Sequence, residues 1–208
     1  MSSAKQIVKK LLQAYPEPEI ELNHSNALEL LVATILSAQC TDQRVNEVTR
    51  ELFKKYRKAE DYARANQAEF EKEIKPTGFY KNKARQIISC CKDLVERFGG
   101  RVPDNLDDLV TLSGVGRKTA NLVLGVAFKK PAIAVDTHVQ RVSRRLGLTQ
   151  EEKPDKIEQD LMKKIPKDKW TDFTLAMILH GRRVCKARRP LCKECVLYKE
   201  CQWEGKEK

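Results

Sequence analysis

Four cysteines fall within seventeen residues near the C-terminus, in "CKARRPLCKECVLYKEC". They are Cys185, Cys192, Cys195 and Cys201, separated by six, two and five residues. Four thiolates this close in sequence form a metal site. Structural zinc usually takes two close pairs on separate knuckles. Here one close pair is flanked by single cysteines, a spacing that leans towards a cubane iron–sulfur cluster. Arg182, Arg183, Lys186, Arg188 and Arg189 surround these ligands. They can offset a cluster's negative charge and present a positive loop to phosphates.

A second group with chemical potential is "LSGVGRKTA", Leu112 to Ala120. Gly114, Val115 and Gly116 make a tight turn that lets a ligand approach the backbone amides. A helix then begins with unpaired N–H groups, whose partial positive charge suits a phosphate oxygen. Lys118 stands just inside that helix, next to Arg117. One role for it is a second phosphate contact. The other is a nucleophile, since a helix N-terminus beside a guanidinium disfavours a charged ammonium and a neutral amine can form a Schiff base. Local sequence leaves both open. Eighteen positions on, "VDTHVQRV" puts Asp136 at a helix start. Aspartate there is a favoured N-cap. The same carboxylate can take up a proton or stabilise developing positive charge.

The elements that position these groups read as helices throughout. "ALELLVATILSAQ" (27–39) is apolar nearly all round and predicts a buried central helix. Thr41 caps "DQRVNEVTRELFKKY", which carries its acids early and its bases late. Asn66 with Glu69 forms a capping pair, "KPTGFYKNKARQIISCCKDLVERFGG" reads as turn, helix and Gly-Gly stop, and "VPDNLDDLVTLSG" ends a short helix at Gly114. "PAIAV" (131–135) is a short strand candidate without a clear partner. The fold class is therefore all-α.

Length and composition set the outer bounds. A chain of 208 residues with 41% apolar content can bury one large core or two small ones. A net charge of +11 favours a polyanionic partner. No apolar run is long enough for a bilayer span, which argues against a membrane partner. The N-terminal "MSSAKQIVKKLLQAY" reads as an amphipathic surface helix and not a signal peptide, so an intracellular, cytoplasmic and nucleoid-associated protein is expected. Cys40, Cys90 and Cys91 lie in apolar helical patterns and read as buried thiols in a reducing compartment.

"LSGVGRKTAN", "VDTHVQRV", "LHGRRVC" and the 6–2–5 cysteine spacing together resemble the endonuclease III family, in the family's order and over nearly the whole chain. The resemblance implies a helix–hairpin–helix DNA glycosylase with AP-lyase activity, acting as a monomer on double-stranded DNA that contains oxidised pyrimidines or abasic sites. It implies two lobes with a DNA-binding cleft between them. Residues 20–130 would form a six-helix lobe. Residues 1–19 plus 131–208 would form the second, with a [4Fe-4S] cluster on the four cysteines. It assigns Lys118 as the nucleophile and Asp136 as the essential carboxylate. In "LSAQCTD" it makes Gln39 the side chain that fills the gap left by a flipped nucleotide. In "TGFYKNKA" it makes Phe79, where the family often has leucine, a second wedge. Two other readings remain: a mismatch glycosylase for thymine or uracil opposite guanine, and a non-catalytic hairpin module with a structural zinc.

Overall fold

The computed structural model describes residues 4–207; positions 1–3, where the expected N-terminal amphipathic stretch begins, and position 208 lie outside the described residues. Short polar side chains set the helix starts. Asn26, Thr41, Asn66, Asn105 and Asp136 each accept a backbone N–H from the first turn of the helix that follows. The helices are α1 (Ala4–Ala14), α2 (Ala27–Leu36), α3 (Asp42–Lys55), α4 (Ala59–Ala63), α5 (Gln67–Glu73), α6 (Tyr80–Phe98), α7 (Leu106–Leu109), α8 (Arg117–Ala127), α9 (Thr137–Arg145), α10 (Pro154–Lys164) and α11 (Trp170–Arg183). Every regular element among the described residues is helical. "PAIAV" forms no ladder; Ile133 and Val135 instead fill an apolar core.

The chain divides into two compact units, Ile20–Phe128 and the two flanking segments together. In the first, α2 is buried from Leu30 to Leu36, and α3, α6 and α8 pack around it. The nineteen-residue α6 is the spine of this unit. It lays Ala84, Ile87, Ile88, Cys91 and Leu94 inward along one stripe. Helices α4 and α5 cover another part of α6. There Tyr56 stacks on Tyr62 at 4.9 Å between ring centres, and Phe70 meets both rings edge-on. Burial of the Phe70 ring contributes roughly 1.5–3 kcal/mol by leaving water.

In the second unit α1 and α9 pack on α11. Ile7, Leu11, Val139, Val142, Phe173 and Met177 form its centre, and Cys185, Cys195 and Cys201 pack at its margin. The start of the chain therefore folds onto the segment that carries the cysteines.

One boundary differs from the sequence reading. Helix α2 ends at Leu36, three residues before the expected Gln39. Its next carbonyl partners are diverted: Cys40 N–H donates to Ser37 O, and Leu36 O accepts from the Lys83 ammonium. Gln39 itself has φ 53°, which no right-handed helix can accommodate.

Candidate active site and nucleic-acid interface

The glycine turn is built onto α6. Ser113 donates its N–H and its hydroxyl to Asp93 Oδ2 at 3.0 and 2.8 Å, and its Oγ lies 2.9 Å from Ser89 Oγ. Gly114 has φ 76°, and a Cβ there would sit 2.9 Å from Gln86 Cβ. Left-handed backbone and close approach together require glycine at this position. Val115 turns its side chain into the core and spends its N–H on Leu112 O. Gly116 has open space where a Cβ would stand and serves as the N-cap of α8 without a side-chain cap. Lys118, in the second position of α8, is exposed. An exposed amine thus stands at an N-terminus that has no side-chain cap and carries partial positive charge.

Asp136 caps α9 from the second unit. Its Oδ1 accepts from His138 N and Val139 N, both at 2.8 Å. Oδ2 carries no hydrogen bond among the described residues, and the residue is half-buried. One oxygen is thus fixed and the other stays available for chemistry. Beside it, burial pushes the His138 imidazole below its ordinary value, with Asp136 opposing the shift.

Gln39 and Phe79 share a backbone feature. Both are non-glycine residues in the left-handed region, at φ 53° and 47°, and both are exposed. Phe79 is 66% accessible, so its ring is not part of the core. Left-handed backbone at such residues costs roughly 1–2 kcal/mol each, so the surroundings must hold it in place. Lys83 reaches the chain just before each of them. It is 2% accessible, and its Nζ donates to Leu36 O and to Thr77 O, both at 2.8 Å. Burial lowers its pKa from the ordinary lysine value, and the Cys40 thiol works against that shift.

The four C-terminal cysteines share one electrostatic neighbourhood. Burial pushes the Cys195 thiol up to about 11, and negative charge at Cys185, Cys201 and Cys192 adds to the rise. Such thiols give up their protons to a bound cation and hardly at all without one. Donors surround them. Arg145 Nη1 lies 3.3 Å from Cys185 Sγ and also donates to Lys186 O, while its guanidinium stacks on Trp203 at 3.8 Å. Arg141 donates to Cys185 O and Gly181 O. His180 Nε2 lies 3.4 Å from Cys195 Sγ, and Tyr15 Oη lies 3.2 Å from His180 Nδ1. Assigning the tyrosine hydroxyl as donor leaves Nε2–H to donate to the sulfur. Among the described residues no three His, Cys, Asp or Glu side chains converge on the spacing of a single metal ion. The basic side chains Lys186, Arg188 and Arg189 of this loop are exposed.

The first unit therefore holds Gln39, Phe79, the glycine turn and Lys118. The second holds Asp136 and the cysteines at opposite ends of α9. Sequence reading missed Lys83, Asp93, Arg141, Arg145 and His180. Lys83 had a signal: it falls in register with Ile87, Cys91 and Leu94 on the apolar stripe of α6. A lysine on such a stripe must find acceptors inside.

Comparison with known proteins agrees across sequence and fold. The profile of the HhH-GPD superfamily of base excision DNA repair proteins matches residues 32–167. Endonuclease III of Synechocystis sp. is 51% identical over 196 residues, covering 94% of this chain and 88% of its own. The solved structure of a trapped endonuclease III–DNA covalent intermediate superposes with a TM-score of 0.93 at 46% identity, covering 100% of this chain and 99% of that one. A thermostable thymine-DNA glycosylase superposes with a TM-score of 0.89 at 26% identity, covering 98% and 97%. Matched by the superfamily profile over most of its length, and by endonuclease III in sequence and fold over nearly all of it, the chain belongs to the endonuclease III family of the HhH-GPD superfamily.

Proposed function

We propose that this DNA glycosylase and AP lyase removes oxidised pyrimidines, with Lys118 as nucleophile and Asp136 as the assisting carboxylate. The observation that carries the reading is the exposed amine of Lys118 on a helix that begins at a glycine without a side-chain cap. The relative trapped as a covalent intermediate with DNA supports the same chemistry. A backbone phosphate held at the hairpin positions the strand without reading its sequence. Extruding the damaged nucleotide brings its sugar to the amine. Neutral Lys118 Nζ attacks C1′, the C1′–N bond breaks, and the base departs as its nitrogen takes a proton. Opening of the sugar ring gives a protonated imine between Lys118 and C1′. Loss of a C2′ proton then expels the 3′ phosphate by breaking C3′–O, and water releases the amine. Asp136 stabilises the positive charge on the sugar and moves protons through its unoccupied oxygen.

Substrate choice is tested by single-turnover release of base from duplexes containing thymine glycol or a thymine opposite guanine. The expected result is release of thymine glycol at least about tenfold faster. Faster release of mismatched thymine would assign the chain to mismatch repair, in line with its thymine-DNA glycosylase neighbour.

The four cysteines suit a [4Fe-4S] cluster. Cys185, Cys201 and Cys192 all act electrostatically on the Cys195 thiol, so the four lie in one neighbourhood, and one close pair flanked by single cysteines favours the cluster over zinc. Arg145 and His180 offer hydrogen bonds to two of the sulfurs. When bound, the cluster supplies iron–thiolate bonds that close the loop 185–201. Protein purified without oxygen is expected to be brown, with broad visible absorption and about four irons per chain. Cys195→Ser should lose both. Colourless protein with one zinc per chain would overturn this assignment. No described helix is long and apolar enough to cross a membrane. A substrate of double-stranded DNA supports reading the enzyme as cytoplasmic and nucleoid-associated.

A further inference from the structure

The buried ammonium of Lys83 has no part in the chemistry above, and its two acceptors are unusual in where they lie. Leu36 O is the last carbonyl of α2, three residues before Gln39. Thr77 O closes the turn at Lys75–Thr77, two residues before Phe79. One point charge at 2.8 Å from each carbonyl therefore ties together the roots of two separate loops. Each loop ends in an exposed side chain on left-handed backbone. Phe79 is also the N-cap of the helix that carries Lys83, so one turn of α6 links the wedge to its anchor. An ammonium this buried could have been an apolar residue, as its neighbours Ala84 and Ile87 are. Its presence is explained by what it holds.

We propose that Lys83 is a positioning residue for duplex opening, fixing Gln39 and Phe79 at one spacing so that both enter the base stack in a single event. The proposal rests on the reading of Gln39 and Phe79 as the residues that enter the duplex. Removing the ammonium frees two carbonyls and lets the loops move independently. A shift of about 1 Å in such groups lowers rates on the order of a hundredfold. The loss is confined to steps that need the stack opened. A single-stranded abasic substrate has no opposite strand to open.

The test compares trapping rates on duplex and single-stranded abasic DNA for wild type, Lys83→Met, Lys83→Arg and the double variant Gln39→Ala/Phe79→Ala. Rates are expressed as the duplex-to-single-strand ratio, so the fraction of folded protein cancels. In parallel, 2-aminopurine opposite a tetrahydrofuran abasic analogue reports displacement of the facing base. Lys83→Met is expected to lower the ratio by on the order of 10–100-fold and to weaken the fluorescence rise, with Lys83→Arg in between. If Lys83→Met yields no folded protein, a ratio lowered in Lys83→Arg still supports the proposal, and one at the wild-type value overturns it. A wild-type ratio in Lys83→Met beside a lowered one in the double variant overturns the role of Lys83 and leaves the wedges standing. A wild-type ratio in the double variant sinks the wedge reading and this proposal with it. Equal loss on both substrates in Lys83→Met, with a fall in thermal stability, makes Lys83 a fold residue only.

Discussion

Lys118→Gln is expected to abolish covalent trapping by borohydride on abasic DNA and to slow strand nicking by at least about 10³-fold. Glutamine keeps the length and polarity of the side chain but cannot form an imine. Because Lys118 is exposed, the substitution should leave stability within about 0.5 kcal/mol. Loss of one cation from the DNA interface changes the salt dependence of binding by about one unit of slope at most. The two roles weighed for this residue therefore separate cleanly. A phosphate contact alone would weaken binding and leave trapping at saturating DNA intact. A nucleophile would leave binding nearly intact and remove trapping. Gel assays of trapped complex, beside fluorescence titrations at several salt concentrations, measure both. Equal trapping by mutant and wild type would move the nucleophile elsewhere.

Asp136 calls for two variants, because its carboxylate has two jobs. Asparagine is as good an N-cap as aspartate, so Asp136→Asn keeps the bonds to His138 N and Val139 N while removing the charge. Its base-excision rate is expected to fall by roughly 10²–10⁴-fold with little change in melting temperature. Asp136→Ala loses charge and cap together. It should lose the same rate and, in addition, about 1 kcal/mol of stability. For a chain of this size that shifts the melting temperature by roughly 2–4 °C. Single-turnover kinetics and calorimetry on both variants decide the matter. Normal kinetics in Asp136→Asn would reduce the residue to a helix cap.

What could be read from the sequence followed locality. Thr41, Asn66 and Asp136 were legible as caps because a cap is satisfied within three residues of itself. The glycine turn was legible because Gly114 needs a backbone that other residues avoid. Of the three thiols expected to be buried, Cys90 and Cys91 are, from their place on α6, whereas Cys40 is only half-buried because α2 ends before it. The end of α2 was misjudged by three residues because the bond that stops it comes from Lys83, forty-seven positions away. Asp93 holding Ser113 and Arg145 holding Cys185 were invisible for the same reason. Each is a charged residue that composition assigns to solvent and that the fold assigns to a partner far along the chain. The exposure of Phe79 was equally hidden, since an aromatic before a helix fits a core as well as a surface.

Helix α9 runs from the Asp136 cap to Arg145, which grips the cysteine loop through Cys185 Sγ and Lys186 O. Nine residues make a stiff rod about 13 Å long. Arg141 and Arg145 tie the loop to this rod at two points, and Val139 and Val142 seat it in the core, so the Asp136 cap and the cysteine loop share one rigid support. Under the cluster assignment proposed above, protein that loses iron is expected to lose turnover before it loses helicity, which absorbance, turnover and circular dichroism followed together would measure.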